Sequence, residues 1–194
     1  TASLNENDRI DDQKVLLDGW ATPEGVSWSP DGEWLAYSLE DLNFNAEIYI
    51  HSADGSGDPV NVSMHPRGDY WPEWSPAGDK LGFVSSRNNR DSDIWFVWLK
   101  ESDWEKTRQD WEEGEDDEKN QKEKDDGEEK EPVVIDFEDI HERLRQITSL
   151  PGDESNILIS GDGKTFYFTA ASPSGKGTDL FSIEWDGQEM KQLT

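Results

Sequence analysis

Three histidines, His51, His65 and His141, are the first candidates for metal or proton chemistry. None has a second histidine at a metal-ligand spacing, such as i and i+4 on a helix. Read singly, each is expected to be a surface or rim residue. No Gly-x-Ser-x-Gly turn occurs, so no serine carries the local signature of a hydrolase nucleophile. There is no cysteine, which removes thiolate nucleophiles, thiolate metal sites and disulfides together. Pro173-Ser-Gly-Lys-Gly177 contains glycine and lysine but fails the spacing of a phosphate loop, and reads as a hairpin tip. Gly55-Ser-Gly57 reads as a two-glycine turn. Asp31, Asp79 and Asp162 look like turn residues, because no Asp-x-Asp-x-Asp-Gly loop surrounds them to converge oxygens on calcium. The expectation is a chain with no catalytic, cofactor-binding or metal-binding residues of its own.

What positions these residues is an internal repeat. Three segments align: Trp28-Ser-Pro-Asp-Gly-Glu-Trp-Leu-Ala-Tyr-Ser38, Trp74-Ser-Pro-Ala-Gly-Asp-Lys-Leu-Gly-Phe-Val84 and Ile159-Ser-Gly-Asp-Gly-Lys-Thr-Phe-Tyr-Phe-Thr169. Each places a serine, a tight turn and then an apolar strand. Proline presets φ at the second turn position and glycine relieves strain at the fourth, which joins two antiparallel strands. Ser29 and Ser75 lie 46 residues apart, and Ser75 and Ser160 lie 85 apart, which is 46 plus 39. A second marker keeps the same period. Ser63, Thr148 and Thr194 close short strands, and Thr148 and Thr194 are again 46 residues apart. A third strand recurs in Ala46–Ile50, Ser92–Phe96 and Thr178–Ser182, each with an acid, Glu47, Asp93 or Asp179. These acids are expected to make a turn cap or a hydrogen bond at the strand start, repeated unit by unit.

Four strands in a unit of this length predict an all-β fold: a partial β-propeller of about three four-stranded antiparallel blades. Residues 18–63 form blade one, 64–148 blade two and 149–194 blade three. Residues 1–17 form an N-terminal segment whose Lys14–Leu17 is expected to be a strand of a preceding blade. Closed propellers have about four to eight blades. The ring is therefore expected to continue beyond at least one end of the chain. Its central channel would be lined by the first strands, around Gly25–Ser27, Tyr70–Glu73 and Asn156–Leu158, although sequence alone does not say which strand ends converge.

The extra 39 residues of blade two form an insertion, residues 100–138, between its third and fourth strands. Ser102 and Glu105 have the spacing of a capping box and predict a helix start. Trp104, Arg108 and Trp111 follow at helical intervals, so a short helix would lay an aromatic face on the rim. Gly114–Glu131 is almost entirely charged or amide-bearing, too poor in apolar side chains to order itself. Val133–Phe137 then regains strand character.

Composition bounds the partners. The chain has 194 residues and a formal net charge of −27. Residues 101–131 hold 16 acids and 6 bases, a net of −10; the other −17 spreads over the remaining 163 residues. Such a field repels phosphate backbones and argues against a nucleic-acid partner. No run of about 18 apolar residues exists, so no membrane span is expected.

The turn Trp-Ser-Pro-Asp-Gly followed by an aromatic strand and then Asp-Ile-Trp resembles the Tol-type propeller repeat. The order of Ser92–Leu99, the Trp104/Trp111 charged insertion, Ile135–Thr148 and Leu180–Gly187 is similar to the N-terminal propeller of tricorn-protease-like serine peptidases. The resemblance implies a noncatalytic portion of a larger peptidase of the C-terminal processing class. Its catalytic serine, base and oxyanion donors would lie in another domain. The propeller would gate or guide peptide substrates. The implied partners are peptides or unfolded polypeptide and the remaining domains of the same protein, with a homo-oligomer as a further expectation. The periplasm is the implied compartment, with the cytoplasm as the alternative. Two other readings stay open: a Tol-type protein-interaction module, and the propeller of a prolyl-oligopeptidase-type hydrolase.

Overall fold

The computed structural model describes residues 3–4, 10–11, 13–88, 90–111, 113 and 132–194. A short pair, β1 (Ser3–Leu4) and β2 (Ile10–Asp11), precedes three four-stranded antiparallel sheets. Blade one holds β3 (Glu24–Trp28), β4 (Trp34–Glu40), β5 (Ala46–Ser52) and β6 (Val60–Asn61). Blade two holds β7 (Asp69–Trp74), β8 (Lys80–Ser85), β9 (Asp93–Trp98) and β10 (Leu144–Gln146). Blade three holds β11 (Ser155–Ile159), β12 (Thr165–Ala171), β13 (Thr178–Glu184) and β14 (Lys191–Gln192). Within each blade the strands lie side by side in chain order.

The turn chemistry explains the first hairpin of each blade. Ser29 Oγ donates to Asp31 and accepts from the Trp34 N–H, while Asp31 also accepts from the Glu33 N–H. Ser160, Asp162, Lys164 and Thr165 repeat this set of bonds. In blade two Ala77 stands where the aspartate would be. The backbone turn still closes through the Ser75 N–H and the Lys80 carbonyl at 2.9 Å.

A second device latches the third strand to the fourth. The Ile48, Ile94 and Leu180 N–H groups donate to the hydroxyls of Ser63, Thr148 and Thr194 at 2.9, 2.8 and 2.9 Å. The recurring acids join in. Glu47 accepts from the Ser63 hydroxyl at 2.7 Å, Asp93 from Gln146 Nε2 at 3.0 Å and Asp179 from Gln192 Nε2 at 2.8 Å. The acids are therefore strand-start acceptors, as their recurrence indicated.

Stacking then follows from which face each residue takes. One face of blade two sends Leu81, Phe83, Val97 and Leu99 against Ala36, Ile48, Ile50 and Val62 of blade one. Its other face sends Val84, Ile94, Phe96 and Trp98 against Ile157, Phe166, Phe168 and Phe181 of blade three. Full burial of each such side chain contributes about 1.5–3 kcal/mol. Every residue of β8 is buried, whereas in blade three Phe166, Phe168 and Ala170 of β12 are buried and the residues between them are not. The contact is close at Gly82, where a Cβ would sit 2.6 Å from Ile157 Cδ1 and that side chain would have to shift.

Each blade interface also buries two acids. Between blades one and two these are Glu47 and Asp69. Arg87 Nη2 reaches Asp69 at 2.8 Å, with Asp69 fully buried. Between blades two and three the equivalents are Asp93 and Glu154. The residue at Arg87's place in the repeat is Ser172, which bonds Ser174 within its own hairpin. No guanidinium is bonded to either carboxyl of this pair among the described residues. Burial pushes Glu154 up to about 7 and Asp93 up to about 6. Glu154 Oε2 accepts from the Thr148 hydroxyl at 2.8 Å.

Lys14–Leu17 pairs with no strand among the described residues, and Lys14 donates to the Asp54 carbonyl. Three expectations need correction. Val133–Phe137 forms no ladder. Its Val133, Ile135 and Phe137 pack into the core between blades one and two, and its Val133 N–H donates to Asp31. Ser102 is not a helix cap. The short α1 (Glu101–Trp104) starts after Lys100 with no side-chain cap. The Glu101 N–H donates instead to Asp136, across the base of the insertion. His51 is not on the surface, being only 4% exposed on β5. Gly114–Glu131 lies outside the described residues.

Two outcomes follow from the buried acids. Arg87→Ala leaves Asp69 as an unpaired buried charge, and denaturant titration is expected to show a loss of about 3 kcal/mol. The carboxyl pair works in the opposite pH direction from a salt bridge. Its folded pKa values are raised, so its stabilisation is fullest below the ordinary carboxylate range and is lost as pH rises through about 6 to about 7. Thermal melts of the native chain should therefore fall between pH 5 and pH 8 relative to Glu154→Gln, which keeps a donor towards Asp93 at every pH.

Candidate functional site

The first strands of the three blades converge on one open cavity. It has a volume of about 490 Å³ and is lined by Gly25, Val26, Ser27, Trp71, Pro72, Glu73, Ser155, Asn156 and Ile157. The expected channel stretches do therefore meet, with two differences. Ser155 belongs to the lining, while Tyr70 and Leu158 do not. Trp74 Nε1 donates to the Ser27 carbonyl at 3.2 Å and ties β7 to β3 behind the cavity.

Each of these strands carries a register shift, between Glu24 and Ser27, between Tyr70 and Glu73, and between Ser155 and Leu158. Within each shift one residue is left-handed: Gly25 at φ 60°, Trp71 at φ 51° and Asn156 at φ 55°. All three stand four positions before the turn serine. The bulge bends the strand and re-aims its side chains at the channel. Glycine and asparagine meet this demand readily, whereas a tryptophan costs about 1–2 kcal/mol there. Gly25 is needed for another reason as well, because a Cβ on it would stand 2.9 Å from Trp71 Cα.

Trp71 is 50% exposed, unlike the core residues Trp74 and Trp98 at 4% and 2%. Glu73 is half-buried, and its carboxylate has no hydrogen-bond or ion-pair partner among the described residues. Burial alone pushes its pKa up. The cavity thus presents one uncompensated carboxylate beside one half-exposed indole. Asn156 offers less, since its Nδ2 is engaged with Thr169 Oγ1 at 2.8 Å.

A second, smaller cavity of about 160 Å³ lies where the insertion meets blades two and three. Thr107 caps the helical residues 108–111: its N–H and hydroxyl both donate to Asp110 Oδ2, and its hydroxyl accepts from the Asp110 N–H. This Thr-x-x-Asp box does the work that Ser102 and Glu105 suggested. Arg108 then bonds Glu184 at 3.0 Å and Asp186 at 2.5 Å. Trp111 stacks on Trp98 with centroids 5.3 Å apart, and Trp185 stands edge-on to Trp98 at 5.4 Å. The aromatic face falls on Trp111, while Trp104 stays 46% exposed. Beneath it lies Lys80, paired with Asp79, its Nζ 4.4 Å from the Trp98 ring centroid. Burial pushes this ammonium down, and Asp79 opposes the shift.

The three histidines do not come together, and no cluster of three His, Cys, Asp or Glu suited to a metal occurs among the described residues. Pro173–Gly177 is the tip between β12 and β13, closed by the Ser172 N–H to the Gly177 carbonyl at 3.0 Å.

Three face-packed, four-stranded sheets that aim their first strands at one channel decide the architecture. The chain is a run of three β-propeller blades. No family model matches it. Among curated proteins, dipeptidyl-peptidase 5 of Porphyromonas gingivalis is 34% identical over 84 residues, 39% of this chain and 12% of that protein. Among solved structures, this propeller overlays hydrazine synthase of Kuenenia stuttgartiensis with a TM-score of 0.64 at 14% identity, covering 97% of this chain and 27% of that one. A putative TolB from Agrobacterium tumefaciens gives 0.58 at 18% identity, covering 91% and 50%. Tricorn protease gives 0.58 at 13%, covering 86% and 18%. The chain thus spans half or less of each of these proteins. Such likenesses establish the propeller fold and leave its use open.

The aromatic clamp makes a direct prediction about access. Lys80 should resist amine acylation in the native chain and become labelled in Trp111→Ala, as read by peptide mass spectrometry.

Proposed function

We propose that this propeller is the noncatalytic portion of a larger serine peptidase, where it admits and guides peptides. The observation that carries the reading is the open cavity at the convergence of β3, β7 and β11, set in a chain with local sequence likeness to a dipeptidyl peptidase. Strands that present bulged backbone, one indole and one carboxylate suit an extended polypeptide better than a compact metabolite. Two parent architectures fit the blade pattern: the tricorn-like one and the oligopeptidase-type one. The local 34% identity to dipeptidyl-peptidase 5 over 84 residues favours the second. Export to the periplasm accords with either.

A TolB-like interaction module is the second reading, supported by the overlay on half of a putative TolB. Hydrolysis and binding assays on the chain separate the readings. Guiding without catalysis is expected to give saturable binding of unstructured peptides with no turnover. Turnover abolished by changing any of these 194 residues would overturn it. Binding confined to one folded partner protein would favour the module. A coding sequence that places Gly-x-Ser-x-Gly after a strand downstream would assign the oligopeptidase-type parent.

A further inference from the structure

We propose that the cavity between β3, β7 and β11 recognises a positively charged group of a bound peptide, held by the Glu73 carboxylate against the Trp71 ring. The inference rests on the peptide-guiding reading and adds what that site selects.

Three observations converge. The first is an internal control supplied by the repeat. The same left-handed bulge position holds Gly25 and Asn156 in the neighbouring blades, so the backbone asks for a residue that tolerates positive φ. A tryptophan is among the least suited to it, and its ring is not needed by the core, being 50% exposed. Strain retained at a half-exposed aromatic on a cavity wall marks a residue held there for contact with something else. The second is chemical. Glu73 lines the same cavity two residues on and lacks a partner among the described residues. A half-buried carboxylate without a partner is completed by an incoming cation, and an indole face attracts the same group through its quadrupole. The third is the field. A net charge of −27 draws cations towards any concave opening and repels acidic peptides. A volume of about 490 Å³ accommodates a long basic side chain with the adjoining backbone.

A protonated amine reaches such a site from a lysine side chain or from a peptide N-terminus. Three unstructured hexapeptides distinguish them. The first is N-acetylated with a single lysine, the second replaces that lysine by glutamine, and the third is the glutamine peptide with a free N-terminus. Calorimetric titration of the full chain is expected to show the lysine peptide binding about tenfold more tightly than the acetylated glutamine peptide. The preference should shrink with added salt. A comparable gain for the free N-terminus assigns the amine to that source as well. Glu73→Gln is expected to abolish the preference while leaving the weaker affinity for the glutamine peptide. Trp71→Gly is expected to weaken lysine-peptide binding while the melting temperature holds or rises, because the left-handed strain is released. Equal affinity for all three peptides would overturn this inference and leave peptide guiding intact. Failure of every peptide to bind would overturn both. A melting temperature that drops sharply in Trp71→Gly would make the ring a packing element and remove it from the site.

Discussion

Blade stacking is the contact on which everything else here depends. A four-stranded antiparallel sheet with two apolar faces is not a stable object in water. Blade two becomes one because Leu81, Phe83 and Val97 face blade one while Val84, Phe96 and Trp98 face blade three. The alternation of a strand sends successive residues to opposite faces. A strand buried at every residue, as Lys80–Ser85 is, therefore makes sense only between two neighbours. The convergence of first strands, the cavity they enclose and the aim of Trp71 and Glu73 are all consequences of that stacking.

Stacking apolar faces does not by itself fix how far one sheet slides on the next. Polar bonds also cross each boundary: Trp74 Nε1 donates to the Ser27 carbonyl, and the Thr148 hydroxyl donates to Glu154. A hydroxyl closes each blade by accepting from the third strand's N–H, and the recurring acid lies beside it. In the first interface Asp69 finds Arg87, and in the second burial raises both carboxyls with no guanidinium bonded to either. The difference traces to one substitution within the repeat, arginine for Ser172. Equivalent positions thus hold the same geometry through different electrostatics: burial raises the acids of both interfaces, and Arg87 opposes that shift at Asp69.

The insertion follows the same logic on the outside. A segment rich in like charges cannot pack on itself, yet its first part docks because Arg108 meets Glu184 and Asp186 while Trp111 meets Trp98 and Trp185. Its return path docks through Val133, Ile135 and Phe137. Both ends of the insertion are thereby fastened across blade boundaries, where they reinforce the stacking they depend on.

The fold was legible in the chain because its determinants are local and recur. The turn of Ser29-Pro-Asp-Gly32, the closing hydroxyls and the strand-start acids each act within a few residues or within one hairpin, and their period counts the blades. The channel stretches were legible for the same reason, apart from Tyr70 and Leu158, which lie off the lining, and Ser155, which belongs to it; the bulges were not. The Thr107-x-x-Asp110 box, by contrast, is local and could have been read in place of Ser102. What the sequence could not say is anything decided by partners brought from far along the chain. The docking of Val133–Phe137 in place of a strand ladder depends on a surface that exists only after the blades meet. The same holds for the left-handed Trp71 beside an unpartnered Glu73. Neither residue type is unusual by itself, and only the convergence of three separate strands makes them neighbours on one wall.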